Sequence, residues 1–247
     1  MKQGTYWPDT YLSAMRLSLP PRKVLWGLTL IAVTICFGMA LWQLSRLQGR
    51  RRVNATALAQ RDLPIIELGG GARVSGSLEN RRVRLEGHYD LAHPILLRQF
   101  YHEGAPGVRV VMPLLPSQGD SATLVLRGFL PSADGMRVDL TLLPDPGPVV
   151  VEGVAFRIPE TTDSGGRLED RGLLTWRRLD RGEVSRLLPY RVREIYVLQE
   201  RMEPTGGRMF RLEPPPLDDG PHLSYAFQWT AFGVTAFVVG WILARKY

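Results

Sequence analysis

The chain has 247 residues, 45% of them hydrophobic, and a formal net charge of +7. This length allows one medium-sized domain in addition to membrane spans, and the excess of basic residues favours an anionic partner such as lipid headgroups. Cys36 is the single cysteine, which excludes an intramolecular disulfide and any redox or zinc site built on paired thiolates. No basic helix with interleaved aromatic residues accompanies the charge, so no nucleic-acid partner is expected.

An uncharged apolar segment near the N-terminus, residues 24–44, is predicted to cross a membrane as a helix. At about 1.5 Å per residue it is long enough for the ~30 Å hydrocarbon core. A cleaved signal peptide would end in small residues, whereas Trp42, Gln43 and Arg46 come here instead. We therefore expect this segment to remain as an anchor.

A second uncharged apolar segment, residues 223–244, lies near the C-terminus and closes on a basic pair. Tyr225, Trp229 and Trp241 stand towards its two ends, as in the aromatic belt of a membrane helix. Small residues on one face of each segment predict that the two helices pack on each other, and the alternative is that they only reflect the usual composition of membrane helices. The predicted small faces are Gly27, Thr34 and Gly38 in the first segment, and Gly233, Ala236 and Gly240 in the second.

Two spans would place both termini on one side of the plasma membrane, as in a multi-pass protein. Basic residues flank the two sides almost equally, and the acidic pair Asp218-Asp219 tips the balance slightly. We predict cytoplasmic termini and a central domain outside the cytoplasm. The predicted organisation is a cytoplasmic segment 1–23, a transmembrane helix 24–44, an extracytoplasmic domain 45–221, a transmembrane helix 222–244 and a cytoplasmic tail 245–247.

The central region changes from helical to alternating patterns. The first helix is predicted to continue to about residue 60, where Leu63-Pro64 breaks it. Short alternating segments separated by Gly, Pro and Asp then predict a mainly antiparallel β domain, a small barrel or sandwich. The predicted strands are 83–89, 94–99, 108–115, 122–129, 149–158, 173–179 and 195–200, with a short helix at 182–188, a loop at 161–171 and a stiff linker at 206–221.

The sequence lacks the common catalytic signatures. It contains no phosphate-binding glycine loop, no Gly-x-Ser-x-Gly elbow and no His-Glu-x-x-His. His88, His93 and His102 fall in one short stretch and could bind a metal, but no carboxylate or cysteine spacing supports such a site. Catalysis is therefore not predicted.

His222 opens the second apolar segment, at the expected boundary between membrane and water. A neutral imidazole there could ligate a haem iron, and a helix N-terminus suits a negative propionate. The alternative is that His, Tyr and Trp anchor the helix at headgroup depth, which position alone favours. In a two-span hairpin the residues brought near His222 would be Tyr225 and Trp229 from the second span, and Trp42, Gln43 and Arg46 from the first.

Several motifs occur in a fixed order along the chain. They are Trp-Gln-x-x-Arg at 42–46, Val-x-Leu-x-Gly-x-Tyr at 83–89, Pro-Gly at 106–107, Val-x-Pro-Leu at 111–114, Leu-Val-x-Arg-Gly-Phe-x-Pro at 124–131 and His-Leu-x-Tyr-Ala-x-x-Trp at 222–229. Each motif alone is weak, but the ordered set resembles the surfeit locus protein 1 family.

The resemblance implies a role in building a haem-copper (cytochrome c) oxidase. Bacterial members of that family are associated with haem a, and the histidine that opens the second span, here His222, is the family's proposed ligand. The implied act is to receive haem a from haem a synthase and help insert it into oxidase subunit I. The alternatives are a haem-free scaffold that stabilises subunit I and an unrelated membrane-anchored β adaptor.

Overall fold

The structure is a computed structural model, and it describes residues 20–69, 77–117, 119–139, 143, 147–170, 173–203 and 209–246. The chain divides into two compact units, Met1–Arg52 with Asp219–Tyr247, and Val53–Asp218. The helices are α1 (Arg22–Asp62), α2 (Arg181–Leu187) and α3 (His222–Lys246). The strands are β1 (Ile66–Glu67), β2 (Arg82–Tyr89), β3 (Ile95–His102), β4 (Ala105–Pro116), β5 (Ser121–Pro131), β6 (Val149–Arg157), β7 (Leu168–Asp170), β8 (Leu173–Trp176) and β9 (Arg191–Glu203).

Two long helices, α1 and α3, are apolar enough to cross a membrane. α1 begins directly after two prolines and ends just before Pro64, since a proline lacks the N–H that a helix interior requires. Most large apolar side chains on both helices are exposed, for example Leu30 at 67% and Phe227 at 69%. Because so much apolar surface is unfavourable in water, it indicates membrane anchoring.

The β domain is built around a closed five-stranded barrel. Neighbouring strands pair in the order β2-β6-β9-β5-β4, and β4 pairs back to β2, which closes the ring. All these pairings are antiparallel except that of β5 with β9, which is parallel. This is the Greek-key order of an OB-type barrel. The predicted fold class, two apolar terminal helices flanking a mainly antiparallel β domain, is confirmed.

Gly87 lies where the barrel closes. β2 pairs with β6 up to Gly87 and with β4 from Gly87 onward, so the strand changes partners at this residue. A Cβ atom at Gly87 would lie 2.0 Å from the carbonyl oxygen of Leu115. Only glycine allows the two backbones to approach so closely.

Two apolar cores lie on opposite faces of the barrel wall. Alternate residues of each strand point to opposite faces, so neighbours such as Val110 and Val111 enter different cores. One core fills the barrel with residues such as Val83, Leu85, Val125 and Val151. The other lies between the outside of the barrel and the cover formed by β8 and α2, and it includes Leu97, Leu126, Trp176, Leu179 and Val184.

A small polar group lies within the filled barrel. The hydroxyl of Tyr89 donates a hydrogen bond to Oε1 of Gln199 at 2.9 Å. The guanidinium of Arg127 stacks over the Tyr89 ring, 4.3 Å from its centre, and contacts Sδ of Met112. Two motifs noted in the sequence, around Tyr89 and Arg127, therefore meet inside the barrel.

Gly128 follows Arg127 and allows another close approach. The backbones of Phe129 and Phe210 exchange two hydrogen bonds, of 2.8 and 2.9 Å. A Cβ at Gly128 would lie 2.5 Å from the carbonyl oxygen of Phe210. Part of the predicted linker 206–221 thus pairs with the barrel, while residues 206–208 lie outside the described residues.

Some predicted element boundaries differ from the structure. The predicted loop 161–171 contains a 3-10 turn, Ser164–Gly166, and the short strand β7. The strand predicted at 173–179 is shorter in the structure, because β8 ends at Trp176. β1 was not predicted, because a two-residue strand has no periodicity. Most of the predicted N-terminal segment, residues 1–19, lies outside the described residues.

Candidate functional site

α1 and α3 pack along a seam of small residues on α3. Gly233 and Gly240 are buried, seven residues apart, which keeps them on one helix face. A Cβ at Gly240 would lie 2.2 Å from Oγ1 of Thr29, and a Cβ at Gly233 would lie 3.2 Å from Cβ of Cys36. The helices therefore run antiparallel at close distance, as membrane helices with small contact residues do.

The residues that α1 contributes to this seam differ from the prediction. Gly27, Thr34 and Gly38 are exposed, and a Cβ at either glycine would meet no atom within 4 Å. On α3, Gly233 and Gly240 are buried as predicted and Ala236 is half-buried. Small residues on one helix already make a groove, so the other helix fills it with larger side chains. In the unit that contains α3, the buried residues on α1 are Thr29, Ala40, Gln43 and Leu47.

The glycine seam can be tested with a matched pair of substitutions. Gly240→Val forces a larger side chain against Thr29, and overpacking of this kind typically costs about 1–3 kcal/mol. We expect the helix pair to loosen and the melting temperature of the full chain in lipid nanodiscs to fall by roughly 2–4 °C for each kcal/mol lost. Gly38→Val, on the open face, should leave the melting temperature unchanged. Equal melting temperatures in the two variants would refute the seam.

His222 is the first residue of α3, and its imidazole contacts α1. Nδ1 of His222 lies 2.9 Å from Oε1 of Gln43, and Gln43 is only 8% exposed. With the amide oxygen facing the ring, the tautomer that satisfies this contact donates through Nδ1–H and carries a lone pair on Nε2. The contact thus orients the ring, and in that tautomer one nitrogen is left to act as a ligand.

The turn before His222 is held by its own contacts. Gly220 adopts a φ of +67°, a left-handed conformation that favours glycine. Oγ of Ser224 donates to the carbonyl oxygen of Pro221 at 2.8 Å, and Arg51 of α1 forms an ion pair of 2.8 Å with Asp219. These contacts fix the entry into α3, where the free N–H groups favour negative charge.

The other predicted site residues do not bond directly to His222. Trp42 and Tyr225 are 51% and 46% exposed, and Arg46 is exposed one helical turn after Trp42. Trp229 is half-buried and packs edge-on against Phe232. Within the described ranges, Gln43 is the only one of the five that forms a hydrogen bond with His222.

The remaining histidines have separate surroundings. Nδ1 of His93 lies 2.7 Å from Oδ2 of Asp90, and that same oxygen accepts a hydrogen bond from Tyr190. Burial alone would raise the pKa of Asp90, but these two partners and a backbone N–H lower it overall. The ring of His102 is tilted by 45° against the rings of both Phe129 and Phe210, and His88 is exposed. In the part of the chain that the structure describes, no three potential metal ligands cluster.

These features define a class of protein. Its members have a closed β-barrel domain between two apolar helices suited to membrane anchoring, and a histidine is oriented where the helices meet. Residues 30–234 match the model of the SURF1 (surfeit locus protein 1) family. This chain belongs to that family. It is 25% identical over 224 residues to a SURF1-like protein of Rickettsia felis. The aligned region covers 88% of this chain and 95% of the relative.

Family membership implies a role in cytochrome oxidase assembly, and an oxidase as a partner in general. The family is one of assembly factors rather than of catalysts. Two apolar terminal helices are consistent with an assembly factor that acts at a membrane.

Proposed function

We propose that this protein holds haem a at His222 and helps to insert it into subunit I of a haem-copper oxidase. The observation that carries the proposal is the hydrogen bond between Gln43 and His222. It orients the imidazole through Nδ1 and leaves the Nε2 lone pair for iron, the arrangement in which a second partner tunes a metal-binding histidine.

The surrounding residues fit a haem group. Arg46 is exposed on α1, has no ion-pair partner among the described residues, and would pair with a propionate. Trp42, Tyr225 and Trp229 offer apolar rings on the same two helices. Bound haem a would supply an iron centre, and the protein's own part is to bind it, orient it and release it.

The proposed location is the plasma membrane, with two spans and the β domain outside the cytoplasm. Haem a synthase would supply the haem, and membrane lipid would surround the exposed apolar residues of α1 and α3. Only the coordination bond between His222 and the iron would form and break in this role, and no covalent bond of the haem would change, so the protein would act as a chaperone for haem and not as an enzyme.

The test is a visible absorption spectrum of the protein purified from cells that make haem a. We expect Soret and alpha bands in the parent and their loss in His222→Ala. Gln43→Leu should weaken haem binding about 10-fold or more, because it removes the partner that orients the ligand. His88→Ala, which removes an exposed histidine on β2, is the matched control and should keep both bands.

A colourless parent in cells rich in haem a would overturn the proposal. Unchanged bands in His222→Ala would do the same for the assigned ligand. In the first case the haem-free scaffold for subunit I would become the better account of the family role, and in the second the haem would be held by another residue.

A further inference from the structure

A cavity of about 160 Å³ lies on the outer face of the barrel, over β4 and β5. Its apolar surface includes Leu97, Val111 and Leu126, and the aromatic rings of Phe100 and Tyr196 also line it. The segment around Pro159 and residues 177–179 completes the wall. The volume equals about five water molecules at ~30 Å³ each, so one small branched apolar group fits and a porphyrin does not.

Three arginines line this small apolar cavity: Arg109, Arg177 and Arg178. Arg178 is paired with Asp163 at 2.6 Å. No carboxylate of the described residues pairs with Arg109 or Arg177, so the cavity carries uncompensated positive charge.

The guanidinium of Arg109 is held in place by an aromatic ring, but one of its hydrogen-bond donors has no acceptor among the described residues. Its guanidinium carbon stacks 3.9 Å from the centre of the Phe100 ring, and its Nε is buried without a hydrogen-bond partner in the described ranges. A donor left unsatisfied in this way is unfavourable, and a bound acceptor would relieve it. Burial also lowers the pKa of Arg109, as is expected for a charge in a poorly solvated place.

A fourth arginine adds to the positive field. Arg98 is buried and donates to the carbonyl oxygens of Thr175 and Gly166, at 3.0 and 2.7 Å, and no carboxylate of the described residues pairs with it. Its pKa is lowered by burial and by the nearby charge of Arg177. Like charges so close together are unfavourable until an anion lies between them.

The position of the cavity in the barrel agrees with a binding role. β4 and β5 are the second and third strands of the five that form the barrel. OB-type barrels bind their ligands on the face of these two strands, between the loops that flank it. Here those loops contain β3 on one side and residues 158–190 on the other.

We propose that this cavity binds a carboxylate carried on a small branched apolar group. The carboxylate would lie between Arg109 and Arg177, whose guanidinium groups can each make paired hydrogen bonds to it. The apolar group would rest on Leu97 and Leu126. Such a group is found in a free branched-chain acid and in the C-terminal residue of a polypeptide. The site belongs to the β domain and does not depend on haem binding at His222.

The test measures the affinity of two probes for the full chain in lipid nanodiscs, by calorimetry and by saturation-transfer NMR. 4-Methylpentanoate represents a free acid, and N-acetyl-leucine represents a chain terminus. We expect 4-methylpentanamide and N-acetyl-leucinamide, which lack the charge, to bind at least 10-fold more weakly than the matching acids. Acetate, which lacks the apolar group, should also bind at least 10-fold more weakly.

The variants assign the binding to this cavity. Arg109→Gln and Arg177→Gln should each weaken binding at least 10-fold, whereas Arg82→Gln, which alters an exposed ion pair with Glu200 on the barrel, should not. Tighter binding of N-acetyl-leucine would identify a polypeptide terminus, and tighter binding of 4-methylpentanoate a free acid. Amides that bind as well as the acids would overturn the proposal without any variant, as would an unchanged affinity in Arg109→Gln.

Discussion

Replacing Gly87 with alanine is expected to lower the free energy of unfolding of the β domain by about 3 kcal/mol or more. The new Cβ would lie 2.0 Å from the carbonyl oxygen and 2.9 Å from the carbonyl carbon of Leu115. Both atoms belong to the backbone of β4, so no side chain can turn away to relieve the overlap. The strand pairing that closes the barrel must open instead.

Hydrogen exchange measured by mass spectrometry on the full chain in nanodiscs checks this result. Peptides from β2 and β4 should lose protection in Gly87→Ala. Gly69→Ala is the matched control, since a Cβ at Gly69 would meet no atom within 4 Å, and its effect should stay within about 0.5 kcal/mol. Parent-like protection in Gly87→Ala would mean that the close approach of β2 and β4 is absent.

The sequence predicted the strands better than their arrangement. Alternation along residues 83–89 predicted β2, because that strand has one face in an apolar core. β5 was predicted from a continuous apolar run, because both of its faces lie in apolar cores. Closure of the barrel depends on Gly87 meeting β4 and on the parallel pairing of β5 with β9. These contacts join residues far apart in the chain, and no local pattern encodes them.

The two candidate sites differ in how far the sequence could predict them. Gln43 and His222 were expected to be neighbours, because an antiparallel helix pair brings the end of one span beside the start of the other. The roles assigned to them remain predictions. The arginine cavity was not predicted, because Arg109, Arg177 and Tyr196 come from three separate segments. The Nε donor of Arg109 is buried without a partner among the described residues only because those segments fold together, so the sequence alone does not indicate it.

Asp180→Ala is expected to destabilise the β domain by about 3 kcal/mol at neutral pH. Asp180 is 4% exposed, and its carboxylate caps α2 by accepting a hydrogen bond from the N–H of Glu183 at 2.9 Å. It also accepts bonds from the N–H and hydroxyl of Thr161, at 2.6 and 2.8 Å. Removing it leaves three donors without their acceptor and frees α2 from the segment that precedes the 3-10 turn.

The size of this loss should depend on pH. Burial alone would raise the pKa of Asp180, but the bonds from Glu183, Thr161 and Gly182 outweigh it and hold that pKa below its usual value. Because the pKa is lower in the folded state, the charged carboxylate contributes its full stabilisation above the unfolded-state pKa of about 3.9. This stabilisation is lost as pH falls towards the pKa of the folded state. The difference between parent and variant should therefore shrink between pH 7 and pH 3.

Hydrogen exchange in the peptides that cover α2 measures that difference. Asp163→Ala is the matched control, since its ion pair with Arg178 is about half exposed, at 51% and 49%, and should contribute at most about 1 kcal/mol. If Asp163→Ala and Asp180→Ala destabilise the domain equally, the buried carboxylate has no special role. If the effect of Asp180→Ala stays constant down to pH 3, the stabilisation comes from packing and not from the charged hydrogen bonds.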